Sequence, residues 1–264
     1  MKVLRCFLLG VLLAAGTSLA VDVNWLTGIV KAIREEYRID GQFCLAANIP
    51  VKADTNVLNR ILSDNKYQNK VKNVIGEKNS ADTQVYESDN MVIARPLSPE
   101  HAEYRVLSKL QQLSRKSDGN FLLIYSYLSP CDKCTARNKK YNILKKIENH
   151  VDCWEDGAFV FTKVYDTNED GKRRDEQQIE NSLNDLAHSM GGLQYIFRCD
   201  GRSNSALECH SCSANNRLSK ICINNAETKQ AKRSHSYDPS STAKKRRVSH
   251  ESKPSSSSRS RSCS

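Results

Sequence analysis

The chain has 264 residues, 39% of them hydrophobic, and a formal net charge of +10. That length holds one ordinary domain with appendages, or two small ones, and the apolar content is enough for one sizeable core. Residues 1–20 carry a net +2, residues 226–264 a net +7 and the body, 21–225, a net +1. A generally basic body is therefore excluded: any basic face on it is local, and the excess belongs to the tail.

The N-terminus reads as a secretory signal peptide over 1–20. Met1 to Arg5 is a short basic start, and Cys6 to Gly16 is an apolar run too short to span a bilayer comfortably. Ser18-Leu19-Ala20 places small residues at the two positions a signal peptidase inspects, so cleavage is expected after Ala20. A buried N-terminal helix is the other reading. No second apolar stretch approaches 18 residues, so no membrane span is expected in the mature form.

Trp25, Ile29, Ala32, Ile33 and Tyr37 fall at helical spacing and predict a first helix over 24–37. Residues 42–49 (QFCLAANI) read as a strand stopped by Pro50, and 58–80 as a polar, Lys/Asn-rich excursion with weak helical spacing. Met91-Val92-Ile93-Ala94 is a second strand. Ser98-Pro99 is expected to open a helix whose buried stripe is Ala102, Val106, Leu107, Leu110 and Leu113. Phe121 to Leu128 is a nearly all-apolar strand, as when both faces are covered. A helix from Pro130-Cys131 to about His150, a strand over 158–165, a charged loop over 166–176, a helix through Ile179 and Met190, and a strand over 193–198 complete the series. The order predicts a three-layer α/β/α sandwich around a five-stranded mixed sheet.

His101-Ala102-Glu103 sits at the start of one predicted helix, and Pro130-Cys131-Asp132-Lys133-Cys134 opens the next. Cysteines three apart lie on one helical face, and a helix N-terminus favours the thiolates that a zinc ion needs. One imidazole and two thiolates leave a fourth tetrahedral position for water. The metal set is therefore His101, Cys131 and Cys134. Glu103 is assigned to proton transfer rather than ligation. The H-x-E…P-C-x-x-C arrangement matches the signature of the zinc nucleobase deaminases.

Three stretches resemble the AID/APOBEC branch of the cytidine deaminase-like superfamily: Glu100-His101-Ala102-Glu103-Tyr104, Tyr127-Leu128-Ser129-Pro130-Cys131 leading to Cys134, and Phe161-Thr162-Lys163-Val164-Tyr165-Asp166. The resemblance covers roughly 24–199 and, with the leader, is nearest to the secreted novel AID/APOBEC-like deaminases. It implies zinc-dependent conversion of cytosine to uracil. The implied substrate is single-stranded DNA or RNA; free cytidine or deoxycytidine is the other candidate, and a non-catalytic polyanion-binding protein on this scaffold is a third reading. Tyr165 and Asp166 occupy the position of the loop that contacts the base beside the target, and Tyr127, Leu128 and Ser129 fall at the pocket. Leu128 stands where the branch carries Trp, with Tyr125 and Tyr127 beside it.

The expected organisation is a signal peptide over 1–20, a deaminase domain over 21–200, a Cys-rich extension over 201–224 and a disordered basic tail over 225–264. Outside the metal set, Cys44, Cys153, Cys199, Cys209, Cys212 and Cys222 are candidates for three disulfides in an oxidising compartment, with Cys263 left over. The alternative for Cys199, Cys209, Cys212 and Cys222 is a second, structural zinc site. Lys232-Arg233 and Lys244-Lys245-Arg246-Arg247 have the layout of a bipartite nuclear signal, so secretion has a nuclear alternative in a leaderless or re-internalised form; the same tail also suits polyanions. Lys133, Arg137, Lys140 and Lys145, with Lys139 and Lys146 nearby, read either as a phosphate-tracking face or as a solvated helix surface.

Overall fold

The structure is a computed structural model that describes residues 21–51, 53–63, 85–168, 170–201 and 206–226, together with Val71 and Ile75. The leader over 1–20, most of the excursion between 64 and 84, and the tail from 227, with its nuclear-signal motif and Cys263, lie outside the described residues.

Asp22 opens helix α1 (Val23–Tyr37): its carboxylate accepts from the backbone N–H groups of Asn24 and Trp25, and the helix ends where Arg38 turns left-handed. The strands are β1 (Cys44–Pro50), β2 (Tyr86–Glu87), β3 (Met91–Ala94), β4 (Asn120–Leu128), β5 (Asp156–Lys163), β6 (Ile196–Asp200) and β7 (Glu208–Ser211). They form one mixed sheet in the order β2-β3-β1-β4-β5-β6-β7. β1 runs antiparallel to both β3 and β4, β4, β5 and β6 are parallel, and β7 returns antiparallel to β6. The helices that follow α1 include, among the described residues, α2 (Thr55–Ser63), α3 (Ala102–Leu107), α4 (Leu110–Ser114), α5 (Asp132–Thr135), α6 (Leu144–Glu148) and α7 (Glu176–Met190).

The sheet carries a core on each face. Leu122 and Ile124 of β4 join a cluster with residues of α3 to α7, and Phe121, Leu123 and Tyr125 join a second cluster with residues of α1 and α2. That alternation is the period-2 signature of a strand covered on both sides. Asn48 is the polar exception inside β1. Its amide donates to the Leu113 carbonyl at 3.1 Å, and its oxygen accepts the Trp154 indole N–H. At one end of the sheet, Cys209 N–H of β7 donates to Thr27 Oγ1 of α1.

The sheet has seven strands, not the expected five. β2 is two residues long, too short for any alternation to register, and β7 lies in the Cys-rich segment with no apolar pattern beyond Cys209. The expected helix over 98–113 is also corrected. Leu97 and Glu100 exchange backbone hydrogen bonds and close a turn, so α3 starts at Ala102, and Lys109 breaks the helix before α4. All five stripe residues are nevertheless buried. The helix expected from 131 to 150 is interrupted at Ala136, whose backbone is extended, and resumes as α6. The segment 193–195 is a single 3-10 turn ahead of β6.

Two disulfides, Cys199–Cys209 and Cys212–Cys222, occupy the four cysteines that had a second zinc site as their alternative. Cys153 is disulfide-bonded as well. Cys44 is a buried free thiol, so the six cysteines do not form three bridges among themselves.

Candidate active site

Strand register gathers the chemistry at one end of the sheet. Cys44 at the start of β1 faces Ser126 near the end of β4 on one side and Ala94 at the end of β3 on the other. The segment before β1, the turn after β3 and the exits of β4 and β5 therefore meet there, outside the carboxyl ends of the parallel strands, where open α/β sheets bind ligands.

His101 and Cys131 are the extended residues that precede α3 and α5, and Cys134 lies three residues further on. His101 Nδ1 is 3.1 Å from Cys134 Sγ and 3.5 Å from Cys131 Sγ, and the two sulfurs are 3.4 Å apart. Around a tetrahedral zinc with ordinary Zn–S and Zn–N bonds these edges would be roughly 3.6–3.8 Å. The donors are thus in place to within a few tenths of an ångström, and their chemistry is that of a zinc site with one position left over. Among the described residues this is the one group of three or more His, Cys, Asp or Glu side chains close enough to hold a metal. The Cys131 thiol is pulled down to about 4, first by the hydrogen bond from Cys134 and then by His101, while Cys134 is pushed up by the same sulfur pair and by burial. The sulfur pair thus favours a thiolate at Cys131, the form in which cysteine binds a metal.

Glu103 is buried in the first turn of α3, two residues after His101. Its Oε1 accepts from Ser126 Oγ at 2.7 Å and from Gln42 Nε2 at 2.9 Å. Gln42 also donates to Ser126 Oγ at 3.0 Å and accepts the Leu128 backbone N–H at 2.8 Å. Burial raises the proton affinity of the carboxyl above the ordinary Glu range, and the Ser126 bond opposes it. A carboxyl held this way beside a metal set can take up a proton and return it.

The remaining expected site residues divide between the two faces. Leu128 is half-buried beside Gln42, and Ser129 is buried. Ser129 Oγ accepts the Tyr165 N–H at 3.0 Å, which ties the β4 exit to the β5 exit. Tyr165 is half-buried against the core that includes Cys131 and Cys134, with the Arg174 guanidinium 5.4 Å from its ring centre. Asp166 accepts from Thr167 Oγ1 and Asn225 Nδ2. Tyr127 packs with the opposite core, beside Tyr125, so neither ring reaches the Glu103 side of β4. A groove of about 590 Å³ runs past His101 and Cys134, lined by Lys133, Lys139, Lys140 and Tyr141. Arg137 is engaged with Glu148, and Lys146 sits over the Tyr104 ring at 4.4 Å, so the anticipated basic face is a groove wall rather than a helix stripe.

Residues 23–226 match the family Secreted Novel AID/APOBEC-like Deaminase 1. The chain belongs to that family. No curated relative and no solved structure matches the chain. Within this deaminase family the match runs beyond β6 and takes in β7 and the Cys212–Cys222 bridge, so the Cys-rich segment lies inside the family's matched region. The family's name and the two disulfides point to an extracellular protein. Among the described residues no helix is long and apolar enough to cross a membrane.

Gln42 was missed by sequence reasoning, because it stands at the edge of a strand with nothing in its surroundings to mark it. Ser126 carried a signal: a hydroxyl interrupting the apolar run 121–128 needs a buried partner.

Proposed function

We propose that this chain is a secreted, zinc-dependent deaminase that converts cytosine to uracil in single-stranded DNA or RNA, on a three-layer α/β/α scaffold. The reading rests on one observation: a buried carboxylate, Glu103, fixed by Ser126 and Gln42 beside a complete His/Cys/Cys donor set. A purely structural zinc needs no such carboxylate.

His101 Nδ1, Cys131 Sγ and Cys134 Sγ would hold the metal. Zinc bound there lowers the pKa of water to about 7 and so supplies hydroxide at neutral pH. Gln42 and Ser126 both bond to Oε1 of Glu103, which leaves Oε2 to move the proton. Glu103 takes a proton from the attacking water, delivers it to N3 of the cytosine ring as oxygen bonds to C4, and assists the departure of the amino group as ammonia. Water is consumed, ammonia is released and the ring is left as uracil. Tyr165 and Asp166 face the neighbouring nucleotide, and Leu128 and Ser129 line the approach.

A base in a duplex is out of reach of such a site, so unpaired strands react first. Leu128 favours a second reading. It removes the broad stacking surface that a Trp offers at that place, and a free cytidine needs less of it. The decisive experiment assays purified residues 21–264 against single-stranded DNA, single-stranded RNA and cytidine, with uracil and ammonia as readouts. Faster conversion of cytidine, insensitive to salt and to loss of the tail, overturns the polynucleotide reading. No conversion of any of the three overturns the enzyme.

A further inference from the structure

Arg198, in β6, is buried at 3% exposure and spends its guanidinium on the end of the described chain. Its Nη1 donates to the carbonyls of Ile221 at 2.6 Å and Asn224 at 3.0 Å, and its Nη2 donates to Asn225 Oδ1 at 2.9 Å. Asn225 then acts as a side-chain imitation of a strand. Its Oδ1 accepts the Val164 N–H at 3.0 Å, and its Nδ2 donates to the Val164 carbonyl and to Asp166 Oδ2, both at 2.9 Å. The segment that presents Asn225 is anchored in turn. Cys212 and Cys222 are fully buried and bridged, and Ile223 packs in the core that holds Cys131, Cys134 and Val164. From the other side of the same loop, Arg174 donates to the Tyr165 carbonyl at 2.9 Å and pairs with Asp132 of the zinc-motif helix α5.

We infer that residues 212–225 are a positioning element of the substrate face: Asn225, oriented by Arg198 and stapled in place by Cys212–Cys222, sets the path of Val164-Tyr165-Asp166 and so the choice of base beside the target cytosine. The inference rests on the proposed deaminase reading for its substrate, but its geometry stands without it. An amide is required at 225, because one atom must accept from Val164 and Arg198 while the other donates to Val164 and Asp166. A carboxylate there loses both donations and faces Asp166. The loop's hold depends on a disulfide, so its shape belongs to the oxidised protein.

The test uses the full secreted chain, its Asn225→Ala, Asn225→Asp and Asn225→Asp/Asp166→Asn variants, and a Cys212→Ala/Cys222→Ala pair. Two quantities are read: trypsin cleavage after the exposed Lys172 and Arg173, and deamination of single-stranded DNA carrying one cytosine between randomised flanks. Cleavage at 172–173 rises by about tenfold or more in Asn225→Ala, the effect of losing three hydrogen bonds to the loop on a local opening equilibrium. It rises further in Asn225→Asp and falls back in the double swap, which restores an amide–carboxylate pair. The flank preference redistributes in the same order, while zinc content stays at the wild-type value. Wild-type cleavage in Asn225→Ala overturns the inference. So does faster cleavage with an unchanged flank preference, because a merely structural role would lower total activity without altering relative context. Should the wild-type chain deaminate nothing, the deaminase reading fails, and trypsin alone decides whether Asn225 holds the loop.

Discussion

Glu103 and Cys134 belong to one site, yet their substitutions have opposite signatures. Glu103→Gln keeps the shape and both hydrogen bonds at the amide oxygen, so zinc content and thermal stability stay at wild-type values while deamination falls by about 10²–10⁴. Metal analysis beside an activity assay reads this, and near-normal turnover in Glu103→Gln rules out the proposed proton path. Cys134→Ser instead removes a thiolate and empties the zinc site, so metal and activity are lost together. Gln42 and Ser126 stand between these cases. Gln42→Leu and Ser126→Ala each delete one donor to the Glu103 carboxylate, a bond to a charged group worth roughly 1.5–3 kcal/mol. The expected result is a kcat reduced by about tenfold or more with zinc retained. An effect confined to KM would assign both side chains to substrate binding instead.

At the scale of single elements, Asn48 is the test of how β1 is locked between its neighbours. It satisfies the Leu113 carbonyl at the end of α4 and the Trp154 indole ahead of β5. Asn48→Leu keeps the volume and leaves the buried Trp154 indole N–H unpaired, at about 1–3 kcal/mol, while the Leu113 carbonyl keeps the Lys116 N–H. The urea midpoint should fall accordingly with an unchanged slope; an unchanged midpoint would mean that water replaces the amide. Elements with a long apolar period were legible in the sequence: α1, β4, β5 and α7 stand close to where periodicity placed them, because burial on one or both faces dictates their pattern. The breaks were not. Lys109 and Ala136 interrupt helices whose hydrophobic stripes continue across the break, since the stripe records which side is buried and not whether the hydrogen-bond ladder is continuous. β2 and β7 escaped because their pairing is backbone to backbone and leaves almost no side-chain period. In the site, the grouping of His101, Cys131 and Cys134 was legible from spacing. Gln42, Arg198 and Asn225 were not, because they act across 61, 36 and 61 positions of chain through contacts that no local pattern records.

For the whole molecule, the charge is divided between a body of net +1 and a tail of net +7, and the proposed polynucleotide reading turns that division into a prediction. Phosphate contacts release counterions, with a slope of about 0.7 per contact on a single strand. Binding to single-stranded DNA should weaken steeply with salt in residues 21–264 and less steeply once 226–264 is removed, while turnover at saturating substrate is retained. Equal slopes would place the phosphate contacts on the body, where Lys133, Lys139 and Lys140 line the groove. The bond between Thr27 and Cys209 has a consequence in time. It joins α1 to the last strand of the sheet across 182 positions. At synthesis rates of about 5–20 residues per second, α1 waits roughly 10–40 s for that strand to exist. During that interval the flank of α1 that β7 will cover is bare, and non-local closure of this kind is slow in itself. Completion of this sheet is therefore paced by β7, and a polypeptide halted before Glu208 leaves that flank of its first helix open to whatever holdase is nearest.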